Sequence, residues 1–228
     1  AGLDPGPAEA AVRAVLGDAP VDVIAQGLEG RRKRLLVADM DSTIVAGETL
    51  DELADEAGVK DKVAAITVRA MNGEVAFDDA LHERVAMLAG LPEAALAATM
   101  KRVGLTPGAR TLVRTMFADG AFTALVSGGF TAFTEDVAAQ AGFHFHRGNR
   151  LEIIDGALSG GLIGPILGKE AKLETLSDLA ARQGLSLDQT LAIGDGANDI
   201  PMLGAAGLGI AFHAKPTVIE AARHRIDH

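Results

Sequence analysis

Residues 35–45, LLVADMDSTIV, decide the fold. A short apolar run ends on two aspartates one residue apart, Asp39 and Asp41, followed at once by Ser42 and Thr43. A buried strand that stops on a pair of carboxylates is costly. Charges taken out of water there must be matched by a metal, a hydrogen bond or a proton. That cost points to a metal-assisted site rather than a packing element.

Working outward, short apolar strands are expected at 35–38, 122–126, 190–193 and 208–212, with helical patterns at 107–119, 132–140 and 171–183 between them. Strands alternating with helices predict an α/β fold, a Rossmann-like parallel sheet with helices on both faces. In such sheets the ligand sits beyond the carboxyl ends of the strands. The first three strands run into Asp39, Ser127 and Asp195, so three strand ends converge on polar residues. Thr106-Pro107 offers a cap and a first helical residue, and Gly120 sits where that helix should stop. Residues 46–105 carry no convincing strand. Leu50, Leu53, Ala54 and Ala57 make one helical stripe, and Phe77, Leu81, Val85 and Leu88 another. This block reads as a helical cap inserted into a core formed by 35–45 and 106–228. Within 150–164, Asp155-Gly156 lies between short apolar runs and signals a β-hairpin, either a small flap or a plain surface hairpin. Residues 1–34 read as a leader or linker, or the remnant of a larger N-terminal region, with one short helical patch near 9–16.

The chemistry open to these residues is narrow. In an extended segment, side chains two apart project to the same side, so Asp39 and Asp41 can face one substrate. A carboxylate can attack phosphorus and split one hard hydrolysis into two easier steps. A second acid can protonate the leaving oxygen and then deprotonate water. To do so near neutral pH, Asp41 must sit well above the ordinary value of about 3.9; Asp39 and partial burial push it that way. In ALVSGGF (124–130), the Ser127 hydroxyl and the open backbone at Gly128 can cradle phosphate oxygens. In AIGDGANDIPML (192–203), Asp195, Asn198 and Asp199 cluster after another strand. Hard oxygen ligands at that density suit Mg²⁺. Lys172, near the start of a helix, can neutralise the attacking carboxylate and the phosphate, with Lys169 a close competitor.

Bulk properties agree. The 228 residues suffice for a core domain plus an insert. The net charge of −10 argues against a nucleic-acid backbone as partner. No apolar run approaches the ~20 residues that cross a bilayer. The chain has no cysteine, which excludes disulfides and thiolate catalysis and fits a cytoplasmic setting. The basic run Arg31-Arg32-Lys33-Arg34 is either a polyanion patch or a solvated entry to the first strand.

DMDST, SGG, a following lysine and GDGAND, in this order, resemble the four motifs of the haloacid dehalogenase-type phosphatase superfamily, over most of 35–220. Finer features are similar to its phosphoserine phosphatase family: Glu48, the segment 71–88 and NRLEIIDGALSG at 149–160. The resemblance implies an HAD-like core and a Mg²⁺-dependent hydrolysis of O-phosphoserine through an aspartyl-phosphate, the last step of serine biosynthesis. Asp39 then matches the nucleophile and Asp41 the general acid/base. The metal would be held by Asp39, Asp195 and the backbone carbonyl of Asp41, with Asp199 in support. Ser127, Gly128, Lys172 and Asn198 match phosphate-binding positions. Glu48 matches the contact to the substrate ammonium, Arg84 the contact to its carboxylate, and Met71 and Phe77 apolar residues of the cap. Phosphoserine demands such a pocket, since a guanidinium suits a carboxylate and an acid suits an ammonium. Other readings keep the fold: a different small-molecule phosphomonoesterase, a phosphotransferase, or a non-catalytic phospho-ligand sensor. Met40 stands where an aromatic residue is common, and relatives often continue with a short strand and helix beyond the last helix expected here.

Overall fold

The computed structural model describes residues 4–71 and 74–228, with the backbone alone at Met71. The strands are β1 (Leu35–Ala38), β2 (Phe122–Phe130), β3 (Phe145–Ile154), β4 (Ala157–Ile163), β5 (Thr190–Gly194), β6 (Leu208–Phe212) and β7 (His224–Ile226). They form one sheet in the order β4-β3-β2-β1-β5-β6-β7, parallel except for the β3–β4 pair. Strand order reverses at β1, which is where an open α/β sheet forms its ligand crevice.

β1 has no exposed residue because both faces of the sheet are covered. Leu36 and Ala38 enter one core, and Leu35 and Val37 the other. That is why the strand is continuously apolar rather than alternating. The helices are α1 (Pro5–Leu16), α2 (Thr49–Glu56), α3 (Lys60–Met71), α4 (Phe77–Ala86), α5 (Ala94–Met100), α6 (Ala109–Ala118), α7 (Thr131–Ala141), α8 (Lys169–Arg182), α9 (Ile200–Ala205) and α10 (Pro216–Ala221). Helices α6 and α7 join α2 to α5 on the first core through Val113, Phe133 and Val137. Helices α8, α9 and α10 cover the second through Leu176, Leu179, Met202 and Val218. Among the described residues no helix is long and apolar enough to cross a membrane.

Helices α2 to α5 leave the sheet and return through adjacent chain segments. Val45 pairs with Leu105, Ala46 N donates to Gly104 O, and Thr106 N donates to Ile44 O. This pairing corrects one expectation. Thr106 is held by the neck of the cap, so helix α6 begins only at Ala109, after Gly108 at φ 91. Gly120, at φ 79, ends it as expected.

Two further differences concern β-structure. Strand β2 continues past Val126 to Phe130, with a register shift between those residues. Ser127, Gly128 and Gly129 therefore lie in an irregular strand end, not in a loop after it. The hairpin forms with Asp155 and Gly156 both at positive φ, 51 and 76, as a two-residue Asp-Gly turn requires. Its first arm is the continuation of β3, so the hairpin is the sheet's own edge. It is bonded to the cap: Gly90 N donates to Leu158 O and Leu158 N to Leu91 O.

The N-terminal segment is docked against the other end of the chain. The Asp22 carboxylate accepts from the backbone N–H groups of Asp227 and His228. The basic run is largely tied down: Arg32 pairs with Asp119, Arg34 donates to Asp119 O and Lys33 to Asp188 O.

Candidate active site

Beyond Ala38 the chain stays extended at Asp39 (φ −70, ψ 160) and Asp41 (φ −66, ψ 138), then turns at Ser42 (φ 55). Val45 N donates to Met40 O and closes the loop. Both carboxylates enter a cavity of about 130 Å³ that Ser127, Gly128, Asp195, Asn198, Glu48, Arg84 and Phe77 also line. Lys172 and Asp199 lie beneath it, 2% and 0% exposed. The structure thus brings together every site residue expected from the sequence except Met71, whose side chain lies outside the described residues. Lys169 is exposed beside Glu170. The lysine of the site is Lys172, one turn into α8 on its buried face.

The floor is an ion cluster. Lys172 Nζ donates to Asp199 Oδ1 at 2.6 Å and lies 2.8 Å from Asp39 Oδ1. Gly196 N donates to Asp199 Oδ2 and Met40 N to Asp39 Oδ1. Thr43 Oγ1 donates to Asp195 Oδ1 at 3.2 Å. Burial alone would lower the Lys172 pKa; Asp39 and Asp199 outweigh it and keep the ammonium charged. Burial and then Asp199 push the Asp39 carboxyl well up, against the pull of Lys172. Burial and Asp199 likewise raise Asp195. Gly194 permits this closeness: a Cβ there would fall 2.4 Å from the Asp199 carboxyl.

A divalent cation fits these residues. Asp39, Asp195 and Asp199 bring ligand oxygens within 4.8 Å of one another. Both Asp199 oxygens already have donors. Among the described residues none donates to Asp39 Oδ2 or Asp195 Oδ2. Three carboxylates against one ammonium leave a negative excess that burial penalises. Hard oxygen donors in such a pocket match a hard divalent ion.

Asp41 is held differently. Thr49 N donates to its Oδ1 at 2.7 Å, and Ser127 Oγ to its Oδ2 at 3.3 Å. Burial, then the Glu48 charge, raises its pKa to about 6. Ser127 Oγ also accepts from Gly129 N.

The roof comes from the cap. Glu48 is exposed, and its Oε1 accepts from Ser42 Oγ at 2.7 Å. Arg84 is half-buried; its Nε donates to Ala80 O and its Nη1 to Thr67 Oγ1. Phe77 reaches over the floor, its ring 3.4 Å from where a Gly128 Cβ would stand.

Sequence reasoning missed two residues. Lys215 lines the cavity three residues past β6, which ends on Phe212, and the polar residues His213 and Lys215 just beyond that strand end were the available signal. Asn149 is 3% exposed; its Nδ2 donates to Gly128 O and its Oδ1 accepts from Leu167 N, holding the glycine segment. A lone Asn in a strand gives no such warning.

Residues 36–204 match the family described as haloacid dehalogenase-like hydrolase. The chain is 46% identical over 225 residues to phosphoserine phosphatase SerB2 of Mycobacterium tuberculosis, covering 98% of this chain and 55% of the relative. It is 48% identical over 194 residues to a phosphoserine phosphatase of Streptococcus thermophilus, covering 85% and 90%. The chain thus spans about half the length of the M. tuberculosis relative and of one from Streptomyces coelicolor, at 55% and 50%. Among solved structures it resembles a phospho-aspartyl intermediate analogue of phosphoserine phosphatase, with TM-score 0.81, 40% identity and coverage of 87% and 95%. An HAD family hydrolase from Salmonella enterica serovar Typhi has TM-score 0.90 at 37% identity, covering 99% and 77%. With the matched segment, the sheet order and the acidic floor in agreement, the chain belongs to the haloacid dehalogenase-like hydrolases.

Proposed function

We propose that this chain hydrolyses O-phosphoserine to serine and phosphate with Mg²⁺ as cofactor. The observation that carries the reading is one cavity with two unlike surfaces. Its floor holds Asp39, Asp41, Asp195 and Ser127, and its roof presents Glu48 and Arg84. A substrate bearing a phosphate, an ammonium and a carboxylate finds a partner for each group. The names of the M. tuberculosis and S. thermophilus relatives, and a neighbour described as a substrate-bound phosphoserine phosphatase complex, support the same assignment.

In this reading the Asp39 carboxylate attacks phosphorus and the serine oxygen leaves, giving an aspartyl-phosphate. Asp41, whose pKa raised to about 6 keeps a protonated fraction available near neutral pH, donates its proton to that oxygen. Asp41 then takes a proton from water as the water attacks the phosphoryl group, releasing phosphate and restoring Asp39. Lys172 holds Asp39 in place and offsets charge on the phosphoryl oxygens. Ser127 Oγ and the backbone at Gly128 cradle those oxygens, and Asn198 flanks them. Mg²⁺ on Asp39, Asp195 and the Asp41 carbonyl would supply charge neutralisation for the transferring phosphoryl group. Asp199 orients Lys172. The cap, taken as 46–105 over a core of 35–45 and 106–228, keeps water from the site during attack, with Phe77 as apolar wall. The absence of cysteine supports a cytoplasmic setting.

Phosphate release from O-phosphoserine, with Mg²⁺ and after chelation, tests the proposal. Turnover that stops on chelation and returns with Mg²⁺ is the expected result. No release from O-phosphoserine under either condition would overturn it.

A further inference from the structure

We infer that Lys215 is an anion-capture residue at the mouth of the cavity, receiving the phosphoryl group before it reaches the floor and holding phosphate as it leaves. The inference rests on the proposed phosphatase reading for its substrate, but its geometry stands alone.

Four observations place Lys215 there. It lines the cavity, and its side chain is exposed, unlike Lys172 beneath the floor. Its backbone is anchored to the acidic segment, since Lys215 N donates to Asp195 O at 3.2 Å. The chain bends to bring it in: His213 adopts φ 43, a conformation unusual for a residue with a side chain, while its N–H donates to Ile226 O. Among the described residues no carboxylate pairs with the Lys215 ammonium and no acceptor bonds it, although its charge acts on Asp195.

Charge explains why such a group is needed. Asp39, Asp41, Glu48 and Asp195 line the cavity, with Arg84 and Lys215 as its cations. Arg84 sits on the roof with two of its nitrogens already bonded. The protein as a whole carries a net charge of −10. Lys172 and the proposed Mg²⁺ would draw a phosphate dianion only at the floor; at the mouth, beside the exposed Glu48, Lys215 is the exposed, unpartnered cation among the described lining residues. A low-dielectric cleft focuses the field of one exposed ammonium, and such steering fades with salt.

The test measures binding of inorganic phosphate to the Mg²⁺-loaded protein by calorimetry, and kcat/KM for O-phosphoserine and for p-nitrophenyl phosphate, each from low to high ionic strength. Lys215→Gln is expected to weaken phosphate binding and lower kcat/KM for both substrates roughly tenfold at low salt, with the deficit shrinking to about twofold at high salt. Lys215→Glu should lose more, and Lys215→Arg should restore both affinity and salt slope. A merely structural role would not track charge or salt. Unchanged phosphate affinity and an unchanged salt slope in Lys215→Gln would overturn the assignment. If the unaltered protein leaves O-phosphoserine intact while Lys215→Gln still weakens phosphate binding, the proposed substrate falls and the role of Lys215 stands.

Discussion

The floor and the roof of the cavity are built by opposite means. On the floor, Lys172, Asp39 and Asp199 are 2%, 6% and 0% exposed and are locked by short bonds from one another and from the backbone. On the roof, Glu48 is exposed, Arg84 is half-buried, and their holds are a single hydroxyl bond to Glu48 and two looser bonds from Arg84. A buried ion cluster is worth much in preorganised electrostatics, and removing one partner is severe. An exposed or half-exposed charge is worth little to stability and is free to recognise a ligand. The floor is thus the place for bond-making and the roof the place for selection.

The contrast carries measurable consequences. Asp39→Asn should lower phosphate release by at least about 10⁴-fold, on the scale of losing a covalent nucleophile, with circular dichroism unchanged. Substantial residual activity would remove the covalent role from the floor. Lys172→Ala should cost about 3–5 kcal/mol in denaturant unfolding, because it leaves two buried carboxylates without a cation. Arg84→Ala should cost under about 1 kcal/mol in the same assay. Comparable losses would erase the distinction between floor and roof. For turnover, Arg84→Ala should lower kcat/KM for O-phosphoserine by about 100-fold, the scale of a lost charge-assisted bond pair, and for p-nitrophenyl phosphate far less. Equal losses would argue against carboxylate recognition.

The last effect concerns pH. Burial, then Glu48, raises the Asp41 carboxyl to about 6. A group whose folded pKa is raised binds its proton more tightly in the folded than in the unfolded chain. Stability of the metal-free protein should therefore decline as pH rises from the unfolded value near 3.8 through about 6. Asp41→Asn removes that decline, so the unfolding free energy of the metal-free variant should exceed that of the unaltered protein at pH 7.5 by on the order of 3 kcal/mol, with a correspondingly higher melting temperature, and approach it at pH 4. Parallel melting curves at both pH values would show that Asp41 ionises freely.

Much of this was legible from residues 35–45 and the two later strand ends. A strand buried on both faces must be continuously apolar, and polar residues at its carboxyl end must serve a site, so β1, β5 and their aspartates stood out. The cap's helical stripes were legible for α2 and α4, where apolar residues recur at helical spacing. Helices α3 and α5 were not singled out, and strand β7 at His224–Ile226 went unmarked, because three residues give no period to detect. The irregular end of β2 depends on close passage of β3, whose Gly148 lies 3.0–3.1 Å, at its Cβ position, from the Gly129–Thr131 backbone. No local pattern encodes that approach.

The sequence by itself determined the parallel sheet, the inserted helical block and the acid pairs at strand ends. These follow from periodicity, from burial and from the cost of placing charge beside apolar residues. The resemblance pointed to Lys172, but the tertiary structure supplied the physical reason for it over Lys169: three positions of helix rotation separate a buried partner for two carboxylates from a solvated charge. Only the tertiary structure decided that Lys215 joins the cavity and that the hairpin is bonded to the cap. Those are contacts between distant segments, and packing alone sets which of them meet.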